Sequence, residues 1–381
     1  MPWRFKTVED VRKEFALAAQ NCSNFSALCR EYGITRKTGY KWVDRFLCGE
    51  TLADRSRRPL ASPTRTDSEI EEKILELRKD NCNWGAKTIH KVLQNQGVIG
   101  LPCVKTVNNI LNRYGQILPE ESQKRIAYQQ FEKSRCNEMW QTDFKGEFKT
   151  ADGKYCYPLD ILDDHSRFAI RIDASDSTIN VVKRNFESAF LEYGVPDSIL
   201  SDNGAQFAGF KQGYTQFEKW LMCLDVLPIH GRIKHPQTQG KIERFHRSMK
   251  EELLNHKNFE NADAANAALQ EWRYKYNYIR PHEALGMKCP GEVYTPSSRA
   301  YREEISRWEY GGQYHVLKVN SWGYVRFHRF QVYLSETMID EYVEFRPSPD
   351  GESFYACFRN FRIAEFSTES GARLNRIIYR L

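Results

Sequence analysis

The amino-acid sequence predicts a multidomain chain with two N-terminal all-α units, a central α/β domain and a small C-terminal all-β barrel. Apolar residues recur at helical spacing up to about residue 115. Short apolar strands then alternate with helices between about residues 135 and 300, and period-2 alternation dominates after residue 310. At 381 residues, the chain is also too long for one ordinary domain.

Composition favours a globular protein of a reducing compartment. Hydrophobic residues make up 41% of the chain, but no apolar run approaches the roughly 20 residues of a membrane span, so we expect no membrane contact. The charged N-terminus lacks the apolar segment of a signal peptide, which predicts a cytoplasmic location. The 10 cysteines include no CxxC pair, so we expect reduced thiols, without disulfides or a zinc site.

Positive charge is concentrated at the N-terminal end. The formal net charge is +6, and residues 1–65 alone carry 13 Lys and Arg against 7 Asp and Glu. A localised basic segment is typical of a region that binds phosphate groups. We therefore expect nucleic acid as a partner.

The first unit, residues 1–53, is predicted to be a helix-turn-helix domain. Residues 7–20 form an amphipathic helix, with the inward-facing residues Val8, Val11, Phe15 and Ala18. A short helix ends at Glu31, and Thr35 caps a third helix, RKTGYKWVDRFL. Its start carries the candidate DNA contacts Arg36, Lys37, Tyr40 and Lys41. An ordinary helical hairpin with a solvated basic face is the alternative.

Residues 54–66 (DRSRRPLASPTRT) are predicted to form a linker, because prolines, small residues and arginines leave little to pack. Arginine is favoured in a narrow minor groove, and the candidate contacts are Arg55, Arg57 and Arg58. A merely solvated linker is the alternative. A second helix-turn-helix is predicted over residues 67–116, where Lys105 and Asn108 face outward as candidate DNA contacts.

Residues 130–300 are predicted to form a mixed sheet covered by helices. The predicted strands are Trp140–Lys149, Tyr155–Leu162, Arg167–Ile172, Ser198–Leu200 and Val226–His230. Helices are predicted after Ser177, near Gly213–Cys223 and from Gly240 onward. Five short strands in residues 308–381 predict the β-barrel, which would contact DNA or another copy of the chain.

Three acidic residues are candidates for a single site. Asp143 (in WQTDF) and Asp202 (in ILSDNGAQF) each come where a predicted strand ends, and Glu243 (in HPQTQGKIERFH) opens a basic helix. Carboxylates from separate elements are suitable ligands for two Mg²⁺ ions in phosphodiester chemistry. Taken singly, each has a structural alternative: a sheet-edge hydrogen bond, a loop turn, or an ion pair of Glu243 with Arg247.

The helix that contains Glu243 is predicted to have two faces. One is polar, with Glu243, His246, Arg247 and Lys250, and the other packs in the core, with Ile242, Phe245, Met249 and Leu253. The candidate phosphate contacts near the site are Lys234, His235, Lys241, Arg244, Arg247 and Lys250. Asp163 and Asp164, in the turn after the second strand, are predicted to be structural, with Arg167 as a partner.

Together these motifs resemble the DDE transposases and retroviral integrases, which are ribonuclease-H-like polynucleotidyl transferases. The resemblance is close to the bacterial insertion-sequence transposases with an integrase-type core, and it covers nearly the whole chain. It rests on the segments CREYGITRKTGYKW, DRSRRP, WGAKTI, HPQTQGKIERFHRSMK and YNYIRPHEALG. The zinc-binding His/Cys set of the retroviral N-terminus is absent from this sequence, and the helix-turn-helix units take its place.

The resemblance implies a ribonuclease-H-like integrase catalytic core in which Asp143, Asp202 and Glu243 are catalytic and bind two Mg²⁺ ions, for which Mn²⁺ can substitute. It implies DNA strand cleavage and strand transfer at the terminal inverted repeats of a mobile element. The implied partners are double-stranded DNA, at transposon ends and target, and further copies of the chain in a dimer or tetramer on the bacterial nucleoid.

Two other functions stay open. A catalytically silent regulator derived from a transposase would use the helix-turn-helix units alone. A ribonuclease acting on RNA–DNA hybrids would share the core fold, but it has no use for two DNA-binding units.

Overall fold

The computed structural model describes residues 6–55, 65–117, 132–175, 179–209, 213–231, 240–376 and 378–381. The chain forms two compact units, residues 1–65 and residues 66–381. Among the described residues, no helix is long and apolar enough to cross a membrane. All 10 cysteines lie in the described ranges, and each is a free thiol.

The first unit contains the three predicted helices, α1 (Val8–Gln20), α2 (Phe25–Glu31) and α3 (Arg36–Leu47). Each begins after a residue whose side chain accepts a backbone hydrogen bond, namely Thr7, Asn24 and Thr35. The helices enclose a small core of Phe15, Cys29, Trp42 and Leu52.

The inward face predicted for α1 is wrong in its first half. Val8 and Val11 are exposed, whereas Phe15 and Ala16 are buried. The Arg12 guanidinium lies 3.8 Å from the centre of the Trp42 ring, so this cationic group, and not Val11, covers the core there.

Two glycines shape the α2–α3 pair: Gly33 lies in the turn between the helices, and Gly39 lies where they pack together. Gly33 has a φ of +62°, which glycine adopts without steric strain. Gly39 lies inside α3, where a Cβ atom would come within 2.8 Å of Cys29 Sγ. The close approach of the two helices therefore depends on Gly39 having no side chain.

The second unit opens with α4 (Ser68–Asp80), α5 (Ala86–Asn95) and α6 (Val104–Arg113), which pack around Ile74, Trp84, Ile89 and Val107. These helices contact the α/β part directly. Asn83 Nδ2 donates to Glu251 Oε2 over 3.3 Å, and Lys87 pairs with Glu283 over 2.5 Å.

The central sheet contains β1 (Trp140–Phe144), β2 (Phe148–Lys149), β3 (Tyr155–Asp163), β4 (Ala169–Ser175), β5 (Ser198–Ser201) and β6 (Leu227–His230). Strands β3, β1, β5 and β6 are neighbours in that order, and β2 and β4 also pair with β3. The β1–β3 pair is antiparallel, whereas β1–β5 and β5–β6 are parallel. The single strand predicted over residues 140–149 is interrupted near Gly146, whose φ is +90°.

Helices cover both faces of this sheet. The first core lies under α7 (Ile179–Tyr193) and α8 (Gln216–Cys223), with Phe186, Phe190 and Trp220. The second lies under α9 (Gly240–Met249) and α10 (Ala262–Tyr278), with Phe245, Leu269 and Trp272. Helix α9 continues as a π-helical turn, Lys250–Leu254, and α11 (Pro290–Val293) follows α10.

The C-terminal strands are β7 (His315–Lys318), β8 (Tyr324–Phe327), β9 (Phe330–Tyr333), β10 (Tyr342–Pro347), β11 (Ser353–Phe358), β12 (Phe361–Ser367), β13 (Arg373–Asn375) and β14 (Tyr379–Arg380). They form a six-stranded antiparallel sheet and a β8–β9 hairpin. The antiparallel all-β region is confirmed, and a closed barrel stays a prediction. Its core is not separate, because Tyr214 and Met222 from the α/β part belong to the same apolar cluster.

Buried Glu218 fastens the C-terminal sheet to the α/β part. Its Oε1 atom accepts from His230 Nε2 over 2.9 Å and from Arg376 Nη2 over 2.7 Å. Its Oε2 atom accepts from the backbone N–H groups of Thr215 and Gly209. Although burial opposes ionisation, these partners hold the pKa of Glu218 below its usual value of 4.5.

Replacing Glu218 should therefore destabilise the second unit in a pH-dependent way. Glu218→Gln is expected to lower the free energy of unfolding by about 3 kcal/mol at pH 7, because Arg376 is left without its carboxylate. A lowered pKa gives stability that is present above pH 4.5 and is lost as the pH falls through the folded-state pKa. Thermal melting between pH 7 and pH 3 should show the gap between wild type and variant narrowing progressively as the pH falls below 4.5.

Glu341 provides the control, because it pairs with Lys219 of the same helix α8 over 2.7 Å while both side chains stay partly exposed. Glu341→Gln should cost less than about 1 kcal/mol. An equal loss in both variants would contradict a special role for Glu218.

Candidate active site

The strand register brings Asp143 and Asp202 together. In the parallel β1–β5 pair, Trp140 lies beside Ile199 and Gln141 beside Leu200. The same offset, continued along both strands, sets Asp143 beside Asp202 at their carboxyl ends. Ligand sites in α/β sheets form at this edge.

The two carboxylates repel each other in a partly desolvated place. Burial raises the pKa of Asp143 to about 6; the nearby His246 opposes this rise, and the charge of Asp202 adds to it. The backbone N–H of Phe144 donates to Asp143 Oδ1 over 2.8 Å. The site thus holds two adjacent acidic groups in an environment that favours an added cation.

The loop after β5 is shaped around the Asp202 carboxylate. The Gly204 N–H donates to Asp202 Oδ1 over 3.0 Å. A Cβ atom on Gly204 would lie 3.0 Å from that oxygen and 3.1 Å from Gln206 Oε1. The absence of a side chain at Gly204 therefore leaves room for oxygen atoms that converge beside the acidic pair.

Glu243 is exposed in the first turn of α9. Within the described ranges, no three His, Cys, Asp or Glu side chains are gathered closely enough to hold one metal ion. The structure thus brings together two of the three predicted carboxylates, and it does not bring Glu243 to them. Residues 232–239, which precede α9, lie outside the described residues.

Two residues that sequence reasoning did not propose for the site lie beside Asp143. Asp160 of β3 is fully buried, and the register places it directly opposite Asp143. His246 of α9 lies between them, with Nε2 2.8 Å from Asp160 Oδ2 and Nδ1 3.9 Å from Asp143 Oδ2. An aspartate within the apolar run YCYPLDILD was the available signal for Asp160.

The predicted polar face of α9 is confirmed for Glu243, Arg247 and Lys250, which are exposed, but it is wrong for His246. His246 is buried because the carboxylate of Asp160 gives its imidazole a partner inside the core. The predicted apolar face is confirmed: Ile242, Phe245, Met249 and Leu253 are buried.

Asp163 and Asp164 have the predicted structural role, but with other partners. Asp163 accepts hydrogen bonds from the backbone of Asn137 and from Ser166, and Asp164 accepts from the Gln141 amide. Arg167 donates to the Asp164 backbone carbonyl and approaches Glu132 over 3.7 Å, so neither aspartate carboxylate is its partner.

Lys241, a candidate DNA contact, binds a carboxylate of the protein itself in this structure. Its Nζ donates to Asp164 Oδ2 over 2.6 Å, and its side chain is only 13% exposed. Burial lowers the pKa of Lys241, against the effect of Asp164. This pair fastens the start of α9 to the end of β3.

The other candidate DNA contacts differ in their availability. Exposed side chains in the described ranges are Arg36, Lys37, Tyr40, Lys41, Lys105, Asn108, Arg244, Arg247 and Lys250. Arg55 is exposed but pairs with Glu50 over 2.5 Å. Outside the described residues lie Arg57, Arg58, Lys234 and His235.

The acidic pair is chemically suited to a divalent cation. Its donors are hard carboxylate oxygens, which Mg²⁺ prefers, and Gly204 leaves space beside Asp202. Burial raises the pKa of Asp143 and the charge of Asp202 adds to this rise, so a cation bound beside the two carboxylates would favour their ionised forms. Asp143 and Asp202 could therefore hold a metal ion.

Family comparisons match both the helical and the α/β parts of the chain. An integrase core domain matches residues 133–236, and a second integrase core domain matches residues 224–290. A homeodomain-like domain matches residues 38–111, from α3 into α6, and so spans parts of both predicted helix-turn-helix units.

Similar proteins come from insertion elements. An uncharacterized 31.7 kDa protein of insertion element IS407 from Burkholderia multivorans is 22% identical over 237 residues, which cover 61% of this chain and 83% of that protein. An uncharacterized 39.2 kDa protein of insertion element IS476 from Xanthomonas euvesicatoria is 24% identical over 241 residues, covering 60% of this chain and 66% of that protein. The HTLV-2 integrase catalytic core domain, solved in complex with magnesium, is 17% identical with a TM-score of 0.32, covering 42% of this chain and 97% of that one.

Removing one charge from the acidic pair should stabilise the metal-free protein. Asp143→Asn keeps the shape of the side chain and an oxygen for the Phe144 N–H, but it removes a buried charge and the repulsion of that charge with Asp202. We expect a gain of about 1–3 kcal/mol in the free energy of unfolding at pH 8 without divalent cations. Thermal melting should show this gain, whereas added Mg²⁺ should stabilise only the wild type.

Glu271→Gln supplies the matched control, because Glu271 is an exposed carboxylate on α10. Its melting temperature should equal that of the wild type with and without Mg²⁺. A metal-free Asp143→Asn protein that melts below the wild type would contradict the repulsion inferred for the pair.

Proposed function

We propose that this chain, an insertion-sequence transposase with a ribonuclease-H-like integrase core, binds the terminal inverted repeats of its own mobile element and cleaves and transfers the DNA strands there. The observation that carries the proposal is the parallel register that sets Asp143 beside Asp202 at the carboxyl ends of β1 and β5. Strand transfer into target DNA would integrate the element.

In this proposal Asp143, Asp202 and Glu243 are the catalytic carboxylates and the ligands of two Mg²⁺ ions. When bound, the ions would activate the attacking oxygen of water or of a 3′-hydroxyl and stabilise the leaving oxygen. Asp143 and Asp202 would supply ligand oxygens from two adjacent strands. Glu243, which is exposed and apart from them in this structure, would supply the third carboxylate from α9 once α9 moves toward them in the DNA complex. The residues beside Glu243 on the exposed face, Arg244, Arg247 and Lys250, would contact nearby phosphates.

Recognition of the element ends is assigned to the helix-turn-helix region. The first turns of α3 carry Arg36, Lys37, Tyr40 and Lys41, all exposed, as a recognition helix requires. The linker arginines and the exposed Lys105 and Asn108 of α6 would add phosphate or groove contacts. Because two ends must be cut together, we further propose that two or more copies assemble on DNA.

Each catalytic carboxylate should be indispensable for Mg²⁺-dependent DNA cleavage. Labelled duplexes that carry the terminal repeats are incubated with purified protein and Mg²⁺, and nicked ends and strand-transfer products are resolved on denaturing gels. Asp143→Asn, Asp202→Asn and Glu243→Gln should each lower the rate by about 10³-fold or more, since each removes a ligand charge at the reacting phosphate. Glu271→Gln is the control and should cleave like the wild type.

The same assay separates the competing functions. Tight binding to terminal-repeat DNA without cleavage by the wild type would identify a silent helix-turn-helix regulator. Cleavage confined to the RNA strand of RNA–DNA hybrids would identify a ribonuclease.

Phosphate contacts on α3 should appear in the salt dependence of DNA binding. Arg36→Ala and Lys37→Ala should each weaken binding and reduce the slope of log K against log salt by about 1. Fluorescence anisotropy with terminal-repeat DNA, between low and physiological salt, measures both quantities.

Lys13→Ala serves as the control, because Lys13 is an exposed cation of the same unit but lies on α1. It should leave the slope unchanged. An equal change in slope for Lys13 and Arg36 would show general attraction to the unit without a defined recognition helix.

A further inference from the structure

Buried Asp160 has no role in the proposed carboxylate trio, yet its position is costly. It lies in the middle of β3, fully buried, and directly opposite Asp143 in the antiparallel register. Directly opposed residues of an antiparallel pair extend from the same face of the sheet. A second aspartate beside a catalytic carboxylate adds repulsion unless a partner compensates for it.

His246 is that partner, and it also reaches Asp143. Its Nε2 lies 2.8 Å from Asp160 Oδ2, while the opposite ring nitrogen, Nδ1, lies 3.9 Å from Asp143 Oδ2. Because both contacts use one rigid ring, the position of the imidazole is tied to Asp160 on one side and to the catalytic strand on the other.

His246 also belongs to the helix that carries Glu243, three residues earlier. Two residues before Glu243, Lys241 binds Asp164 at the end of the same strand β3. Polar contacts with β3 and the residue after it therefore flank Glu243 on both sides, at Lys241 and at His246. The apolar side of α9, with Phe245 against Trp272 and Tyr276, packs between these two contacts.

We propose that Asp160 and His246 form a positioning pair that fixes the Asp143 carboxylate and sets the helix of Glu243 against the catalytic strand. The pair acts through Asp143 and α9, and it does not contact the DNA that reacts. This inference rests on the proposed function, because positioning for catalysis has meaning only if the carboxylates perform the chemistry.

The decisive variant removes both members of the pair. Asp160→Leu/His246→Leu leaves no unpaired buried charge, so its melting temperature should stay within a few degrees of the wild type. Cleavage of terminal-repeat DNA should nevertheless fall about 10–100-fold, with the DNA dissociation constant unchanged within about twofold. His246→Gln, whose amide can still donate to Asp160, should retain cleavage within about fivefold of the wild type.

The matched control is a partly buried ion pair of the same region. Arg280 Nη1 lies 2.7 Å from Glu252 Oε1, and Glu252 also accepts from Trp272 Nε1. Glu252→Gln/Arg280→Met removes this pair and keeps an acceptor for the indole. It should cleave DNA like the wild type, whatever its melting temperature.

A second readout does not depend on catalysis. Mn²⁺ binding to the DNA-free protein, measured by electron paramagnetic resonance, should weaken about 5–10-fold in Asp160→Leu/His246→Leu, because Asp143 is less well placed. It should be unchanged in the control pair.

The outcomes are distinct. If Asp160→Leu/His246→Leu cleaves DNA and binds Mn²⁺ as well as the wild type does, the proposal is overturned, and the pair serves only to pack α9 against β3. Equal losses in both double variants would also overturn it, since the effect would follow general stability. A wild-type protein that cuts no DNA, with Mn²⁺ binding still weakened in Asp160→Leu/His246→Leu, would refute the proposed function and support the positioning of Asp143.

Discussion

The parallel register that places Asp143 beside Asp202 at a partly buried edge of the central sheet is the constraint on which the candidate site depends. Parallel pairing of β1 and β5 brings two like charges to one edge of the sheet, where burial raises the pKa of Asp143. A fold optimised only for stability would avoid this arrangement. Polar contacts hold the ends of β1 and β5 in place despite the repulsion, and each strand end is held by a different set of residues.

The end of β5 is held from the C-terminal side of the chain. Ser201, directly before Asp202, lies 3.1 Å from His230 Nδ1, and His230 Nε2 contacts Glu218, which in turn binds Arg376. The end of β1 is held from β3 and α9 through Asp160 and His246. Both networks use a histidine whose two ring nitrogens contact different elements, so each imidazole fixes the distance between two parts of the fold.

Local signals in the sequence were sufficient for most elements, but not for the partners of the charged groups. Capping residues and apolar spacing together predict α2 and α3, apolar spacing alone predicts the other helices of the first 116 residues, and alternation predicts five C-terminal strands. Sequence patterns did not predict the buried partners of two residues, which lie far along the chain: Asp164 for Lys241, and Asp160 for His246. Helical periodicity places these two residues on a solvent face because it contains no information about carboxylates that β3 brings to the same place.

The shared core of the C-terminal sheet has a similar origin. Alternating residues after position 310 predict strands, yet they do not show that Tyr214 and Met222 complete their apolar cluster. Arg373 Nη2 donates to the Tyr214 hydroxyl over 2.6 Å, so a polar contact accompanies this apolar packing. Contacts between distant segments depend on how the whole chain folds. Alternation of apolar and polar residues shows only which face of each strand is apolar.

The distribution of charge separates binding from chemistry in the proposed reaction. Carboxylates that hold metal ions repel DNA phosphates, so affinity for DNA has to come from elsewhere. Residues 1–65, with 13 Lys and Arg against 7 Asp and Glu, supply such an attraction, and Arg244, Arg247 and Lys250 supply it beside the carboxylates. Divalent cations at Asp143 and Asp202 would remove the remaining repulsion, so metal binding and engagement of the scissile phosphate should reinforce each other. In this proposal α9 has two tasks: its exposed side presents Arg244, Arg247 and Lys250 to phosphate groups, and its buried side contacts β1 and β3 through His246.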